Sequence, residues 1–337
     1  MIILSNCLTK TADEGCRKVA CSLIGRIKKE EPQTTVVTYE SGQGLGDLHF
    51  KLNKLMLSGK LSALLRKKKE PLLYVPAPAK MRAAAIRIFL LSLFARWGLQ
   101  VILVMTFSVD RLSGFLLRKS GARIITLSRS AWQHYKEALG EQVVYLKTGV
   151  DTKKFCPVDD RQKDALRKKY GIPPGKLVAL HVGHLKTERN VQQLLKLDEK
   201  WHSVLAVSTL TATEQDLQLR RQLEESENLT LIDWYIPNVE ELYQLADVYL
   251  FPVVQSHKCI DVPLSALEAA ACGIPVVATP FGELKELLGK PGFYEITSFE
   301  SAQLNDQMAN AASDSTNPRQ SILEYDWENA VQQALII

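Results

Sequence analysis

The residues with the clearest chemical potential lie in one stretch, residues 261–279, which reads DVPLSALEAAACGIPVVAT. Pro263 and Ser265 are typical of a helix start, and an apolar run with one carboxylate, Glu268, follows before a glycine typical of a helix end. The amides of Leu264 and Ser265 at the helix start could bind a diphosphate. Glu268, one turn further on, could accept hydrogen bonds from a sugar diol, or it could support its helix and face water.

A second group of polar side chains follows the apolar strand predicted at residues 177–182. This group contains His184, Lys186 and Arg189. Two buried phosphates need charge-assisted donors when no metal supplies positive charge, and Lys and Arg are such donors. His184 could donate only one or two hydrogen bonds, and a histidine titrates near neutral pH. A lone histidine is more often structural, so both interpretations of His184 stay open.

Short apolar segments alternate with longer helical ones along the whole chain, which is the pattern of parallel sheets covered by helices. We expect two Rossmann-like halves, a hinge near residues 149–176 and a final amphipathic helix at 325–331. The strands predicted for the first half are residues 2–4, 35–39, 72–75, 101–105, 123–127 and 143–146. Those predicted for the second half are residues 177–182, 203–207, 229–233, 248–251 and 275–278.

These motifs resemble those of the retaining GT-B glycosyltransferases of family 4. The donor loop of that family ends in Leu-Glu-Ala-Met-Ala-Cys-Gly-x-Pro-Val-Val-Ala, and this chain reads LEAAACGIPVVA over residues 267–278. Residues 148–157, TGVDTKKFCP, resemble the family's linker Asn-Gly-Val-Asp-x-x-x-Phe-x-Pro, in which Phe155 can anchor the chain. Residues 183–190 stand where the family has Gly-Arg-x-x-x-x-Lys-Gly, and residues 232–242 resemble the strand and turn that read its nucleobase.

The resemblance implies an α/β protein of the GT-B fold, with two Rossmann-like domains facing a central cleft. The acceptor domain would span residues 1–150 and the nucleotide-sugar donor domain residues 151–324. A C-terminal helix, 325–337, would pack back toward the first domain. The implied activity is transfer of a sugar from a nucleotide-sugar donor to an acceptor with retention of configuration, in the synthesis of a glycan, glycolipid or cell-surface polysaccharide.

The resemblance also implies a role for individual residues. Arg189 takes the position of the family's lysine and His184 that of its arginine, while Gly15 survives from a Gly-Gly loop in which Glu14 replaces the other glycine. Such enzymes need no protein nucleophile, because the leaving diphosphate is stabilised by cations and a helix start and helps to deprotonate the acceptor. The residues expected at the donor are Gly15, Lys186, Arg189, Ile236 through its backbone, Leu264, Ser265 and Glu268. Those expected to act in catalysis are Arg189, His184 and Asp261.

The chain departs from the family pattern at two positions. The family's first glutamate, eight residues before Glu268, is replaced by Ile260, with Asp261, His257 and Lys258 close by. The histidine usual after the strand predicted at 101–105 is also missing, and Ser108 or Asp110 are the candidates to replace it. A non-catalytic homologue that binds a nucleotide or a protein partner is therefore the main alternative. A phosphate-dependent or epimerising enzyme is a third.

Charge is unevenly distributed over the 337 residues. The net charge is +5, but residues 1–150 carry +14 and residues 151–337 carry −9. Basic residues interleaved with leucines over 51–69 favour a helical hairpin on an anionic membrane surface, although a solvated helix packed on the sheet has the same spacing. The apolar segment 87–97 is expected to be a buried crossover helix. Nucleic acid is not expected, because aromatics for base stacking are missing beside these cations.

The remaining sequence features predict the cellular location of the protein and its ligands. Six cysteines without a C-x-x-C pair favour a reducing cytosol, and the absence of a signal peptide or an apolar run of about 18 residues leaves only peripheral contact with the inner face of a membrane. Residues 42–47, GQGLGD, lack the spacing of a dinucleotide fingerprint. No cofactor or metal is expected. The expected partners are a UDP-, GDP- or dTDP-sugar and an acceptor that could be lipid-linked.

Overall fold

A computed structural model describes residues 1–10, 14–56, 58–208, 216–255 and 259–336. The chain divides into two compact units. Unit 1 contains Met1–Thr148, the short segment Ile260–Val262 and the chain from Trp327 onward. Unit 2 contains Gly149–Cys259 and Pro263–Asp326.

Unit 1 is built on short strands, most of which are buried. They are β1 (Ile2–Ser5), β2 (Thr35–Thr38), β3 (Leu48–His49), β4 (Leu72–Val75), β5 (Leu99–Leu103), β6 (Arg123–Thr126) and β7 (Val143–Tyr145). In the described part of the unit they form one parallel sheet in the order β3-β2-β1-β4-β5-β6-β7. Two differences from the predictions exceed one residue at a strand end: β3 was not expected, because two residues are too few for a pattern, and β5 lies two residues earlier than predicted.

Three of the five helices that precede the linker to unit 2 begin at a capping side chain. The five helices are α1 (Gly15–Glu30), α2 (Gly59–Lys68), α3 (Met81–Ser92), α4 (Arg111–Ser120) and α5 (Arg129–Leu139). Ser58, Asp110 and Ser128 each accept a hydrogen bond from a backbone amide in the first turn of α2, α4 and α5. Such caps satisfy amides that have no partner within the helix.

The strand order decides which helices share a layer. The order runs one way from β1 to β3 and the other way from β4 to β7. Because crossover connections are right-handed, the reversal places α1 on one face of the sheet and α2, α3, α4 and α5 on the other. The basic α2 and the apolar α3 therefore belong to the same layer.

Two predictions for this layer are wrong. Residues 51–56 are not helical, so the basic segment forms the single helix α2 and not a hairpin; Leu57 lies outside the described residues. The apolar segment 87–97 is not wholly buried, because α3 ends at Ser92 and the side chains of Leu93 and Trp97 are 52% and 57% exposed. Apolar content alone does not show which face of a helix meets the sheet.

Unit 2 has a second parallel sheet. Its strands are β8 (Leu177–Gly183), β9 (Trp201–Val207), β10 (Leu229–Ile232), β11 (Val248–Phe251), β12 (Val276–Ala278) and β13 (Phe293–Glu295). Over the described residues their order is β10-β9-β8-β11-β12-β13. Its helices are α6 (Asp160–Lys169), α7 (Leu217–Glu224), α8 (Glu240–Gln244), α9 (Leu264–Ala271) and α10 (Ser301–Ser313). The last helix of the chain, α11 (Trp327–Ile336), belongs to unit 1, where it packs against α1.

Part of the predicted hinge is a regular helix. The hinge predicted near residues 149–176 contains the charged helix α6, whose side chains Lys163 and Arg167 form ion pairs of 2.7 and 2.6 Å with Asp247. Asp247 also accepts a hydrogen bond from the amide of Val178, at 2.7 Å, on β8. These contacts anchor α6 to the sheet, which charge content alone did not indicate. Within the described residues, no helix is long and apolar enough to cross a membrane.

The segment Ile260–Val262 is attached to unit 1 by polar and apolar contacts. The amide of Asp261 donates to the carbonyl oxygen of Val104 at 3.0 Å, and the Thr106 hydroxyl donates to the Asp261 carboxylate at 2.8 Å. Ile260 packs on Gly15, where a Cβ atom would lie 2.9 Å from the Ile260 Cδ1 atom. Gly15 therefore permits this close approach. Asp261 is almost fully buried, and burial raises its carboxyl pKa from 3.8 to about 6.

The raised pKa of Asp261 predicts a pH-dependent contribution to stability. A carboxyl whose pKa is raised by folding stabilises the folded state below its unfolded pKa, near pH 4, and this contribution is lost as the pH rises toward 6. The Asp261→Asn variant cannot ionise and can still accept from Thr106. We expect its free energy of unfolding to exceed that of the parent by roughly 3 kcal/mol at pH 8, with the difference vanishing toward pH 4. Denaturant unfolding at several pH values measures this, and a pH-independent difference would contradict it.

Candidate functional site

The candidate site of unit 2 lies where the strand order reverses. β8 and β11 are neighbours, and the chain continues from them in opposite directions across the sheet. In open parallel sheets, the loops that leave two such strands diverge and leave a crevice at their carboxyl ends, where ligands bind. The loop after β8 carries the predicted His184, Lys186 and Arg189, and the segment after β11 leads to α9 with Glu268.

The loop after β8 holds its three basic side chains half-buried. Arg189 ends a short 3-10 helix, Thr187–Arg189, and Asn190 follows in the left-handed region with a φ of 58°. Asn190 occupies the position of the family's glycine, and Asn is one of the few residues that tolerate this conformation. Its side-chain amide donates to the carbonyl oxygen of Pro252 at 3.2 Å. This hydrogen bond ties the loop to the segment that follows β11.

Beneath this loop lies a buried histidine that the sequence analysis did not identify. The Nδ1 atom of His181 lies 2.8 Å from the carbonyl oxygen of Leu250, so Nδ1 carries the proton and donates. Burial is the main reason that the His181 pKa falls to about 4, and the positive charges of Arg189 and His184 lower it further. His181 is therefore neutral near pH 7. Both of these positive charges therefore act on His181 from the loop that follows β8.

Helix α9 presents the expected open start. It begins at Leu264 after Pro263, and no side chain caps it. The first amide that bonds back along the chain is that of Ala266, which donates to the carbonyl oxygen of Pro263 at 3.1 Å. The amides of Leu264 and Ser265 precede this bond, at the positive end of the helix dipole. This is the arrangement that binds anions at helix starts.

Tyr249 connects the helix start with the strand that leads to the basic loop. Its hydroxyl donates to the carbonyl oxygen of Val182 at 3.3 Å. Burial raises the pKa of this phenol, and the nearby side chain of Ser265 acts to lower it. Its ring stacks on His181 with centroids 6.0 Å apart. The structure thus brings Ser265 and the loop that carries Arg189 to the same edge of the sheet.

Glu268 is buried rather than solvent-facing. Only 4% of its surface is exposed, and its Oε2 atom accepts a hydrogen bond of 2.6 Å from the hydroxyl of Tyr243 on α8. The alternative in which this carboxylate faces water is therefore excluded. One face of the carboxylate contacts Tyr243, a partner that the sequence analysis did not identify because the two residues lie on different helices.

The turn expected at the nucleobase follows β10, the strand at the edge of the sheet. Ile236 is half-buried there, while Trp234 and Tyr235 are 55% and 45% exposed. The turn lies at the carboxyl end of its strand, as the other candidate residues do. The role of the Ile236 backbone stays a prediction.

The predicted residues of unit 1 occupy the corresponding edge of the first sheet. Gly15 is the first residue of α1, next to Ile260, and Glu14 forms an ion pair of 3.1 Å with Arg17. The family's first glutamate position is therefore filled here by an apolar side chain that packs on Gly15. His257 and Lys258, and residues 11–13 of the predicted loop, lie outside the described residues.

The two candidates for the missing histidine differ in their surroundings. Asp110 caps α4 and forms an ion pair with Arg82, and the amide of Ser113 together with Arg82 lowers its carboxyl pKa to about 2. Ser108 is exposed. Tertiary structure brings a different residue to this loop, because the Nε2 atom of His134 on α5 lies 3.2 Å from the carbonyl oxygen of Phe107. The sequence analysis did not identify His134 as a neighbour of this loop because it lies 27 residues from Phe107 along the chain.

Comparisons with known proteins agree with this architecture. Residues 176–314, less than half of the chain, match the family model described as glycosyl transferases group 1. A lipopolysaccharide core biosynthesis mannosyltransferase, LpsB, from Rhizobium meliloti is 27% identical over 186 residues, which are 52% of this chain and 50% of that protein. A D-inositol 3-phosphate glycosyltransferase from Corynebacterium jeikeium is 31% identical over 150 residues, 40% of this chain and 35% of that protein. The chain thus spans half or less of the length of these curated relatives.

Solved structures match over nearly the whole chain. Anabaena Alr3699/HepE in complex with UDP has a TM-score of 0.76 at 17% identity, covering 99% of this chain and 98% of that one. WaaG, a glycosyltransferase involved in lipopolysaccharide biosynthesis, has a TM-score of 0.58 at 15% identity, covering 100% and 96%. The chain therefore has the GT-B fold, with two Rossmann-like units, and its residues 176–314 are similar in sequence to the glycosyl transferases of group 1.

Proposed function

We propose that this protein is a glycosyltransferase of group 1 that transfers a sugar from a nucleotide-sugar donor to an acceptor with retention of configuration. One observation carries the proposal: a half-buried basic loop and an uncapped helix start meet at the strand reversal of unit 2, with a buried carboxylate in the same helix. That combination suits a diphosphate linked to a ribose. The relatives include a mannosyltransferase and a structure with UDP-glucose, which supports synthesis of a polysaccharide or glycolipid.

The residues suggest how the reaction is assisted. As the donor bond breaks, negative charge develops on the leaving diphosphate, and preorganised donors are most effective where charge develops. We assign this task to Arg189, Lys186 and His184, together with the amides of Leu264 and Ser265. The diphosphate oxygen that gains charge accepts the proton of the acceptor hydroxyl, so no protein nucleophile is required. Asp261 belongs to unit 1, where it is nearly buried, and its part in this step stays a proposal.

Glu268 narrows the choice among the expected donors. A carboxylate that reads both hydroxyls of a ribose favours UDP- and GDP-sugars over dTDP-sugars, whose pentose lacks the 2′-hydroxyl. A missing partner hydroxyl leaves the buried carboxylate short of a hydrogen bond, and such unsatisfied groups are costly. We therefore place UDP- and GDP-linked sugars ahead of dTDP-linked sugars as donors.

One observation favours a second candidate, a non-catalytic homologue that binds a nucleotide. Ile260, at the position of the family's first glutamate, is only 9% exposed and has no polar group to contact a sugar. Hydrolysis of a donor in the absence of any acceptor separates the two candidates. Slow release of free sugar from UDP-glucose or GDP-mannose supports the transferase, whereas nucleotide binding without release, and without transfer to added lipid or glycan acceptors, supports the binding protein.

The first functional prediction concerns the charge of Glu268. The Glu268→Gln variant keeps an oxygen that can accept from Tyr243 but loses the charge that strengthens hydrogen bonds to the ribose. We expect its dissociation constant for UDP or GDP, measured by calorimetry, to rise about tenfold. Glu283→Gln is the matched control, because Glu283 is equally buried and accepts a 2.6 Å bond from Tyr325. Equal affinities of Glu268→Gln and the parent would contradict the assignment.

The second functional prediction concerns the charge of Arg189. Arg189→Lys keeps the charge that the family's lysine would supply, whereas Arg189→Met keeps much of the side-chain volume without charge. We expect Arg189→Met to lower the rate of donor cleavage by roughly 100-fold, as loss of one preorganised donor does in other enzymes, and Arg189→Lys to retain most of the rate. Arg221→Met, on the exposed side of α7, serves as the control. A rate for Arg189→Met that matches this control would argue against a phosphate contact.

We further propose that the protein acts as a peripheral protein on the inner face of a membrane, with a lipid-linked acceptor. The layer that contains α2, α3 and α4 combines exposed cations with exposed apolar side chains. On α2 and its end, Lys60, Arg66, Lys67, Lys68 and Lys69 are exposed. Along and after α3 and on α4, the exposed apolar residues are Ile86, Leu93, Trp97, Leu112 and Phe115, between 37% and 57% accessible. Cations that meet anionic headgroups beside side chains that enter the interface are typical of peripheral binding.

This proposal predicts binding that needs both charge and apolar contact. The protein should sediment with vesicles that contain anionic phosphatidylglycerol, and added salt should weaken binding steeply because each cation contributes about 1 kcal/mol within a Debye length. Leu93→Ser should bind at least several-fold more weakly, since an inserted leucine contributes roughly 1.5 to 3 kcal/mol when fully buried. The control is Leu217→Ser, which changes a leucine that is 68% exposed in unit 2.

Two results would count against this membrane surface. Equal sedimentation with neutral phosphatidylcholine vesicles would show that the cations do not contribute to binding. The absence of binding to either kind of vesicle would contradict the membrane proposal. Equal binding of Leu93→Ser and Leu217→Ser would leave an electrostatic contact and exclude insertion of the α3 surface.

A further inference from the structure

We infer that Tyr243 and Tyr249 are positioning residues for the nucleotide: Tyr243 fixes the orientation of the Glu268 carboxylate that reads the ribose, and Tyr249 fixes Ser265 at the helix start. This inference rests on the proposed function, since it assigns a task to residues that lie behind the donor-binding groups. Neither tyrosine is expected to touch the donor. Each would act through one side chain of α9.

The contact between Tyr243 and Glu268 is short and shielded from solvent. The donor and acceptor oxygens are 2.6 Å apart, Tyr243 is fully buried, and Glu268 is 4% exposed. Burial, and then the negative charge of Glu268, raise the pKa of the Tyr243 phenol well above its usual value. The phenol therefore keeps its proton at physiological pH and remains the donor. Hydrogen bonds from a neutral donor to a buried carboxylate are among the stronger ones in proteins.

The ring of Tyr243 is itself held by aromatic neighbours. The Phe155 ring meets it edge-on at 5.6 Å with an interplanar angle of 78°, and the Tyr249 ring lies 5.9 Å away. Phe155 comes from the linker motif at the start of unit 2 and is 5% exposed. Packing of this kind restricts the ring to one orientation. The linker phenylalanine thus supports the tyrosine that holds the ribose-reading carboxylate.

Tyr249 lies near α9 one turn earlier, beside the side chain of Ser265. Its hydroxyl donates to the carbonyl oxygen of Val182 at the end of β8, at 3.3 Å, and its ring stacks on His181. The two tyrosines therefore contact α9 at positions 265 and 268, which lie on the same face of a helix. One sets the position of the phosphate-binding helix start and the other that of the carboxylate.

A fixed carboxylate is what discrimination between sugars requires. Each carboxylate oxygen can accept more than one hydrogen bond, so Oε2 can accept from Tyr243 and still accept from a ligand. When the carboxylate cannot rotate, a nucleotide that lacks the 2′-hydroxyl leaves an acceptor unpaired, and binding is weakened. When the carboxylate can rotate, it can satisfy itself elsewhere and the penalty shrinks. The positioning by Tyr243 should therefore appear as selectivity for ribose over deoxyribose.

The test compares the dissociation constants of UDP and GDP with those of their 2′-deoxy forms by calorimetry. We expect the parent to prefer the ribonucleotide that it binds by roughly tenfold or more. Tyr243→Phe removes only the hydroxyl, and we expect the preference to fall about threefold or more, mainly through weaker binding of the ribonucleotide. Tyr249→Phe should weaken both forms equally and leave their ratio unchanged, because its contact serves the helix start.

The matched control is Tyr325→Phe. Tyr325 donates to the buried Glu283 at the same distance of 2.6 Å within unit 2, and neither residue belongs to the candidate site. Both variants lose one buried phenol hydroxyl that donates to a carboxylate, so a general loss of stability would affect them alike. Only Tyr243→Phe should change the ratio between the ribonucleotide and its deoxy form.

The possible outcomes separate this inference from the proposed function. A parent that binds none of the four nucleotides overturns the proposed function and the inference with it. A parent that prefers the ribonucleotide, with the same preference in Tyr243→Phe, overturns the inference alone, and so does an equal change of the ratio in Tyr325→Phe. If Tyr243→Phe does not fold, Phe155→Leu, which removes the edge-on support of the ring, must show the reduced preference instead, and an unchanged ratio there overturns the inference.

Discussion

The buried carboxylate of Glu268 is the constraint on which the organisation of unit 2 depends. A charge removed from water must be given hydrogen-bond donors, and Tyr243 supplies one at 2.6 Å. This requirement explains why α8 lies beside α9 and why Phe155 of the linker packs on the same ring. The carboxylate is thereby presented from a helix whose start is left uncapped, so that the polar groups expected at a donor come from one rigid element.

The reversal of strand order supplies the second element of the site. Because β8 and β11 are neighbours, the basic loop after one strand and the segment after the other begin at the same point of the sheet edge. Asn190 connects the two by donating to the carbonyl oxygen of Pro252, and Tyr249, beside Ser265, donates to the carbonyl oxygen of Val182. His181, on β8 beneath the basic loop, is neutral because burial lowers its pKa, so it adds no positive charge there. The positive charge is thus kept for the half-buried loop, where an anionic ligand would meet it.

At the corresponding sheet edge of unit 1, an apolar residue takes the place of a carboxylate. Ile260 stands where the family has a glutamate, and its side chain packs on Gly15, which can approach because it lacks a Cβ atom. Asp261 is drawn into unit 1 by Thr106 and Val104 and is buried there, with a raised pKa. The outer layer of the unit instead carries the exposed cations and apolar side chains. Polar chemistry at the sheet edge and apolar surface on α3 and α4 are therefore separate features of this unit.

The sequence by itself determined the alternating strands and the two-unit α/β architecture, and it identified Glu268 as a candidate, because hydrophobic periodicity and helix signals are local properties of the chain. It could not reveal that Tyr243 donates to Glu268, that His134 approaches the loop after β5, or that the outer face of α3 is apolar. It also predicted a helical hairpin over residues 51–69, of which residues 51–56 are not helical, and it did not identify β3 or β13. These features depend on residues far apart in the chain. Only the tertiary structure decides which side chain fills a given space, because burial, pKa and hydrogen-bond partners are set by neighbours that sequence spacing does not specify.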